Sequence, residues 1–172
     1  HLLREREKGY LTDGVRALLL YPMNALANDQ MKRLRRILMD YPDITFGRYT
    51  GETKESKQEA DDHFLKNFPD EPRVENELLS REEMRSRPPH ILLTNYAMLE
   101  YLLLRPKDTE FFDGEKARYW KYLVIDEVHT YDGAKGIEVA MLLRRLKDRI
   151  INSEQGRLQC IATSATLGSK HL

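Results

Sequence analysis

Residues 122–129 read YLVIDEVH, and this stretch decides how the rest of the chain is interpreted. Its first half is a near-continuous apolar run, which is typical of a parallel strand that is buried on both faces. The run ends in two adjacent carboxylates, Asp126 and Glu127, and His129 follows two residues later. In open α/β sheets, ligands bind outside the carboxyl ends of the strands. The stretch therefore predicts a buried strand with chemistry at its C-terminal tip.

The two carboxylates indicate a cation or a polarised water as their partner. Two negative charges held against a low-dielectric wall are costly unless such a partner uses them. A Mg-nucleotide site needs one carboxylate, Asp126, for Mg²⁺ and a second, Glu127, for the water that attacks a phosphate. The alternatives are a strand-end ion pair or a cap on the following loop. A zinc site that includes His129 lacks the usual ligand spacing.

Length, charge and cysteine content limit the classes of protein. The 172 residues suffice for one domain with a real core. Because 28 basic residues balance 28 acidic ones, there is no bulk electrostatic attraction to nucleic acid or membrane, although a local basic groove is compatible with this balance. Cys160, the single cysteine, excludes an intrachain disulfide and is expected in a buried strand. No apolar run approaches the roughly 20 residues of a membrane helix. We expect a cytoplasmic protein.

The order of apolar segments predicts the fold class. Five short strand patterns alternate with helical patterns, which indicates an α/β fold with a mostly parallel sheet and flanking helices. The stretch around 52–88 is rich in acids and prolines and only weakly periodic, so it is expected to be an insertion or a surface helical excursion. The predicted strands are Val15–Tyr21, Ile44–Thr50, Ile91–Thr94, Tyr122–Ile125 and Leu158–Thr163.

The last predicted strand ends in residues 162–166, ATSAT. Small hydroxyl residues at such a place can bridge the carboxylates of a neighbouring strand to a moving partner through short hydrogen bonds. Taken alone, the segment is an ordinary strand-to-turn transition. Its combination with the upstream DEVH segment is more specific.

Three further turns offer backbone amides at strand ends. They lie in YPMNALANDQ (21–30), where Asn24 can cap the helix, in TGET (50–53), where glycine permits close approach, and before the helix of TNYAMLEY (94–101). Most such turns bind nothing. Three on one edge of a sheet would form a row of phosphate-sized sites that positions a nucleic-acid backbone without reading bases.

The order of these motifs resembles that of DEAD/DEAH-type superfamily-two helicases. The segments YPMNALANDQ, TGET, TNYAMLEY, DEVH and TSAT look like motif Ia, the glycine motif and motifs Ib, II and III. DEVHTYDGAKGIEVAMLLRRL is similar to the RecQ4-like branch. The resemblance covers nearly the whole chain, with 52–88 least matched. It implies a RecA-like domain of the P-loop NTPase class, with ATP and Mg²⁺ as cofactors and nucleic acid, DNA in preference to RNA, as partner.

The resemblance also assigns roles to residues. It implies that Asp126 holds Mg²⁺ through water and that Glu127 activates water. His129, Ser164 and Thr166 would couple the nucleotide site to a second RecA-like domain. The residues expected along the nucleic-acid track are Pro22, Asn24, Thr50, Gly51, Thr94 and Asn95.

One departure from the family pattern is decisive. The chain contains no G-x-x-x-x-G-K-[ST] phosphate loop, and residues 133–136, GAKG, have the right letters at the wrong spacing. The resemblance places the first strand and its phosphate loop before His1, and the second RecA-like domain after Leu172. We therefore expect residues 1–172 to be part of the first motor domain of a longer helicase or translocase, and to be inactive alone. The alternatives are a non-catalytic RecA-like module that binds nucleic acid or protein, and a DNA-pumping defence translocase.

Overall fold

Six parallel strands form the centre of the part of the chain that the structure describes. The computed structural model describes residues 1–151 and 158–164. Its helices are α1 (Leu2–Glu7), α2 (Asn24–Leu38), α3 (Lys57–Asn67), α4 (Arg81–Ser86), α5 (Tyr96–Leu104), α6 (Gly114–Ala117) and α7 (Gly133–Ile151), with 3₁₀ helices at Pro106–Phe111 and Val128–Thr130. Its strands are β1 (Ala17–Tyr21), β2 (Phe46–Arg48), β3 (Glu77–Leu78), β4 (Ile91–Asn95), β5 (Tyr122–Ile125) and β6 (Gln159–Ala162).

The strand order is β3-β2-β4-β1-β5-β6, and every neighbouring pair is parallel. This confirms the predicted α/β fold with a mostly parallel sheet. Tyr21 is in register with Asn95, and Leu20 is in register with Ile125. The carboxyl ends of β4, β1 and β5 therefore lie at one edge, where the sequence places its polar motifs.

Alternate side chains of the strands enter two different cores, as the period-two geometry of a strand requires. Leu18 and Leu92 are fully buried on one face, in a cluster with residues of α5 and α7. Leu93 is fully buried on the other face, in a cluster with residues of α2. Helices thus cover both faces of the sheet. Among the described helices, none combines the length and the apolar character needed to cross a membrane.

The stretch around 52–88 contains a strand that the sequence did not predict. Its helices α3 and α4 are N-capped by Ser56 and Ser80, each of which forms a reciprocal capping box with a glutamate three residues later. Between them, β3 pairs with β2 and extends the sheet. Glu77 of β3 is buried because its carboxylate accepts two hydrogen bonds from Arg35, at 2.7 and 2.8 Å. A two-residue strand that contains a glutamate gives no apolar pattern.

β6 is an exposed edge strand in the described part of the chain. All four of its residues are exposed, and Ile161 is 46% accessible. The expectation that Cys160 is buried is wrong, because the described elements leave both faces of β6 uncovered.

Candidate functional site

The tips of β5 and β6 bring the two predicted polar motifs together. Ile125 is in register with Ala162, so Asp126 and Thr163 are neighbours. Backbone hydrogen bonds hold both tips: the Thr163 N–H donates to the Ile125 carbonyl at 2.9 Å, and the Val128 N–H donates to the Thr163 carbonyl at 2.9 Å. The DEVH segment and the first part of ATSAT therefore form one surface.

Asp126 is half-buried and held at the carboxyl end of β5, between the tips of β1 and β6. Its backbone N–H donates to the Leu20 carbonyl of β1 at 2.9 Å, and its carboxylate accepts a hydrogen bond from the Thr163 hydroxyl. Burial, and then the negative charge of Asp126, raises the pKa of Tyr21 and that of Tyr131 to about 12. Both phenols are protonated at neutral pH, as ordinary phenols are, and lie close enough to Asp126 to feel its charge.

Glu127 has an unusual backbone conformation. With φ 48° and ψ 47°, it is the one non-glycine residue with positive φ among those that the structure describes. The left-handed conformation costs roughly 1–2 kcal/mol for a residue with a Cβ. Thr130 holds it, since its N–H and its hydroxyl donate to the Glu127 carbonyl at 2.8 and 2.9 Å. The chain therefore turns sharply after Asp126.

His129 bridges the two motifs. Its Nδ1 lies 2.9 Å from the Ser164 hydroxyl oxygen and 3.2 Å from a carboxylate oxygen of Glu127. One ring nitrogen thus contacts both the candidate water-activating carboxylate and the hydroxyl that follows β6. The structure brings Asp126, Glu127, His129 and Ser164 together, while their roles stay a prediction. Thr166, the fifth predicted residue, lies outside the described residues.

The residue types at these tips fit Mg²⁺. Asp126, Glu127 and Thr163 supply oxygen atoms, which Mg²⁺ prefers, and proteins usually bind this ion through one or two carboxylates together with waters and substrate phosphates. Within residues 1–151 and 158–164, no group of three or more His, Cys, Asp or Glu side chains could hold a metal ion by itself. These three residues therefore fit the part of a nucleotide site that holds the metal ion and the attacking water. The part that holds the phosphates is missing, because the sequence contains no phosphate loop.

The three predicted amide-rich turns are connected by side chains. The Asn95 amide donates to the Asn24 amide oxygen at 2.9 Å, and the Asn24 amide donates to the Glu52 carboxylate at 3.1 Å. The turns after β1, β2 and β4 thus lie side by side. Asn95 caps α5 by accepting from the Met98 N–H at 2.8 Å. The expectation that Asn24 caps α2 is wrong, because Met23 occupies the N-cap and Asn24 is the first helical residue.

The remaining predicted track residues differ in exposure. Gly51 is exposed and a Cβ there would meet no atom within 4 Å, so a ligand can approach it closely. Pro22 is half-buried. The Thr50 and Thr94 side chains are fully buried, and the Thr94 hydroxyl donates to the Tyr49 carbonyl at 2.7 Å. These two threonines therefore stabilise the turns through buried contacts and are not available to a ligand.

Two polar residues at this edge were missing from the prediction. Glu52 is central to the linkage, and its position inside TGET was a usable signal. Arg81 donates to the carbonyls of Thr50 and Gly51 at 3.1 and 3.4 Å. It comes from the weakly periodic 52–88 stretch, where no sequence pattern indicates which side chain reaches back to the turn.

Comparisons with known proteins identify the family of the chain. Residues 2–172 match the family described as DEAD/DEAH box helicase. The chain is 33% identical to Druantia protein DruE of Escherichia coli (strain UMEA 4076-1), over 96% of this chain and 13% of that protein. It is 34% identical to the uncharacterized ATP-dependent helicase YprA of Bacillus subtilis (strain 168), over 90% of this chain and 17% of that protein. The chain thus spans less than a fifth of the length of these two relatives.

Solved structures show the same fold. The DUF1998 helicase MrfA bound to DNA and AMPPNP superposes with a TM-score of 0.66 at 31% identity, covering 96% of this chain and 19% of that one. The Mycobacterium smegmatis helicase Lhr shares the fold with a TM-score of 0.59 at 23% identity, over 90% of this chain and 17% of that one. With its parallel sheet, its DEVH strand tip and the family match over nearly its whole length, the chain belongs to the DEAD/DEAH box helicase family.

Proposed function

We propose that the chain is part of the first RecA-like motor domain of an ATP-dependent nucleic-acid helicase or translocase. The observation that carries this proposal is the convergence of Asp126, Glu127, His129 and Ser164 at the tips of two neighbouring strands. Such a convergence supplies both a place for Mg²⁺ and a base for water. It lies on the same sheet edge as the linked turns of the candidate nucleic-acid track.

Each residue of the site has a distinct task in this proposal. Asp126 would hold Mg²⁺ through water, with the Thr163 hydroxyl orienting its carboxylate. Bound Mg²⁺ would neutralise charge on the phosphates of ATP. Glu127 would orient the attacking water and accept its proton. His129 and Ser164 would hold Glu127 and, together with Thr166, couple the site to a second RecA-like domain.

The nucleic-acid track would use the three linked turns. Asn24, Gly51 and Asn95 would contact the sugar-phosphate backbone, since their side chains or amides reach the surface. Pro22 would fix the first turn, and the buried threonines Thr50 and Thr94 would hold the other two. DNA is proposed in preference to RNA because MrfA, at 31% identity, is a helicase whose crystal structure contains DNA.

We further propose that residues 1–172 are only a part of that domain, with 52–88 as its charged insertion. The exposed outer edge of β6 supports a further parallel strand there, and with it the phosphate loop that these residues do not contain. Without that loop the 172 residues alone would not hydrolyse ATP. Placement in the RecQ4-like branch rests on the DEVHTYDGAKG segment, and a cytoplasmic location on the single cysteine.

The sharpest test is Glu127→Gln in the full-length natural protein. The change keeps the shape of the side chain and removes the base, so ATP binding should persist while ATP turnover falls by about 10²–10⁴-fold. Nucleotide binding and steady-state turnover are measured side by side. Glu138→Gln, an exposed glutamate on α7, is the matched control and should leave turnover unchanged.

Turnover near the wild-type value in Glu127→Gln would contradict the assignment of the base. A full-length protein without any G-x-x-x-x-G-K-[ST] segment would instead favour a non-catalytic RecA-like binding module.

A further inference from the structure

A lysine between two tyrosines joins the candidate nucleic-acid track to the carboxylate turn. Lys135 Nζ lies 5.1 Å from the ring centroid of Tyr96 and 5.5 Å from that of Tyr131. The two rings meet edge to face, with centroids 6.4 Å apart and an interplanar angle of 78°. Tyr96 directly follows Asn95 of the track, and Tyr131 closes the turn that begins at Asp126. We call these three residues the tyrosine–lysine clasp.

The GAKG segment, whose letters resemble a phosphate loop, positions this clasp instead. A Cβ on Gly136 would lie 2.6 Å from the Tyr131 carbonyl oxygen, closer than any side chain tolerates. Gly133 has a φ of +52°, which glycine adopts without strain, at the point where α7 begins. The glycines therefore let the first turn of α7 pack against the Tyr131 backbone. Lys135 is held over both rings as a result.

The Tyr131 hydroxyl adds an observation that points toward Asp126. It is buried, and within the described part of the chain it makes no hydrogen bond. A buried hydroxyl without a partner destabilises the fold, so its retention calls for a compensating role. Burial first and the Asp126 charge second raise its pKa to about 12, which leaves it a neutral donor near that carboxylate.

The turn that Tyr131 closes is also the strained one. The Tyr131 N–H donates to the Val128 carbonyl at 3.1 Å, and Val128 directly follows Glu127 with its left-handed backbone. A strained residue held by a few hydrogen bonds can take a second arrangement at small cost when a neighbouring contact changes. A shift of α5 at Asn95 would reach this turn through the edge-to-face contact of the two rings.

We propose that the tyrosine–lysine clasp couples occupancy of the nucleic-acid track to the Asp126–Glu127 carboxylates, with Lys135 as the positioning residue. Nucleic acid on Asn95 sets the position of Tyr96. Lys135 transmits that position to Tyr131 and so to the turn that carries Glu127. This inference rests on the proposed function, because it requires both a nucleic-acid track and ATP turnover.

The test uses the full-length natural protein and a single-stranded DNA oligonucleotide as probe. In Lys135→Met, the stimulation of ATP turnover by saturating oligonucleotide should fall about fivefold or more, in the range of typical coupling between sites. Turnover without oligonucleotide and the Kd for the oligonucleotide should stay at the wild-type values. Lys135→Arg, which keeps the cation, should restore stimulation. Lys147→Met, an exposed lysine on the same helix, should have no effect.

A second variant keeps the lysine and moves its neighbour. Gly136→Ala forces the Tyr131 carbonyl away from α7, so it should lose stimulation in the same way. Normal stimulation in Lys135→Met overturns the inference. Equal losses of basal turnover or of oligonucleotide affinity also overturn it, because they indicate a general structural role. If the wild-type protein itself shows no nucleic-acid-stimulated turnover, the proposed function fails. That result can be told apart from failure of the clasp inference alone, in which the wild-type protein is stimulated and the variants behave as described above.

Discussion

At the scale of single residues, the backbone of Glu127 is the most consequential feature. A regular strand would have continued past Ile125 and would have pointed successive side chains to opposite faces. The left-handed turn at Glu127 ends the strand and brings the carboxylate within 3.2 Å of His129. The residue pattern of YLVIDEVH predicted the bounds Tyr122–Ile125 correctly. It could not predict the turn, because position 127 is a glutamate, and positive φ is usually indicated by a glycine or an asparagine.

Thr130→Ala tests whether this turn matters for chemistry. Loss of the hydroxyl that donates to the Glu127 carbonyl at 2.9 Å should lower the free energy of unfolding by about 1 kcal/mol and also reduce ATP turnover. Thr109→Ala is the matched control, since the Thr109 hydroxyl makes the same kind of bond to the Pro106 carbonyl at 2.6 Å, in another 3₁₀ helix. Equal turnover in the two variants of the full-length protein would show that the Glu127 conformation needs no such support.

At the scale of elements, a buried ion pair explains why the apolar pattern of the sequence did not predict β3. β3 joins the sheet because Arg35 of α2 lies over it and contacts Glu77 with two nitrogens. A charged strand of two residues carries no apolar signal, so the sequence predicted only a surface excursion there. By contrast, the Ser-x-x-Glu spacing at Ser56 and Ser80 is readable and marks the starts of α3 and α4.

Arg35→Met should therefore destabilise the domain strongly. The Arg35 and Glu77 side chains are only 6% and 1% exposed, and removal of one partner of a buried pair leaves the other charge uncompensated, at a cost of about 3–5 kcal/mol. Arg6→Met removes the exposed pair with Asp43 and should cost at most about 1 kcal/mol. Denaturant unfolding of both variants checks the difference, and similar losses would contradict the role assigned to the buried pair.

At the scale of the whole molecule, the N-terminal ends of the strands are tied together by one histidine. His90 Nδ1 accepts from the Thr45 N–H at 2.9 Å, and its Nε2 lies 3.0 Å from the Thr12 carbonyl oxygen to which it can donate. Three segments that are distant in sequence meet there. The proposed nucleotide site lies at the opposite ends of the strands, so His90 is well separated from it. The alternation of strand and helix was enough to predict this division, because parallel strands place all their carboxyl ends together.

Stability should depend on pH through His90. Burial, and then the nearby Arg16, lowers the pKa of His90 to about 4, with Asp13 and Arg87 also close. The folded state thus keeps the ring neutral, while the unfolded state takes up a proton below its ordinary pKa of about 6.5. The free energy of unfolding should fall as the pH drops from about 6.5 to about 4, by roughly 3 kcal/mol in total. Unfolding measured across this range should lose most of that slope in His90→Gln. An unchanged slope in the variant would assign it to other groups.

The contact network of the site was only partly readable from sequence. Asp126, Glu127, His129 and Ser164 were predicted from motif order and lie together. Glu52 and Arg81 were not predicted, because their roles depend on which side chain crosses between turns. Cys160 was expected to be buried and is exposed, because an apolar strand pattern does not say whether other elements cover the faces of the strand. Motif order is local information, whereas these contacts depend on how the elements pack.

The outer edge of β6, which no strand covers in the described part of the chain, has a consequence for the charges at the proposed site. Asp126 is half-buried and stands only one strand away from that edge, so its carboxylate keeps contact with water. A strand added beside β6 would exclude that water and strengthen every charge interaction at the site. In the proposed motor, ATP turnover would therefore depend on completion of the sheet beside β6 as well as on the carboxylates themselves.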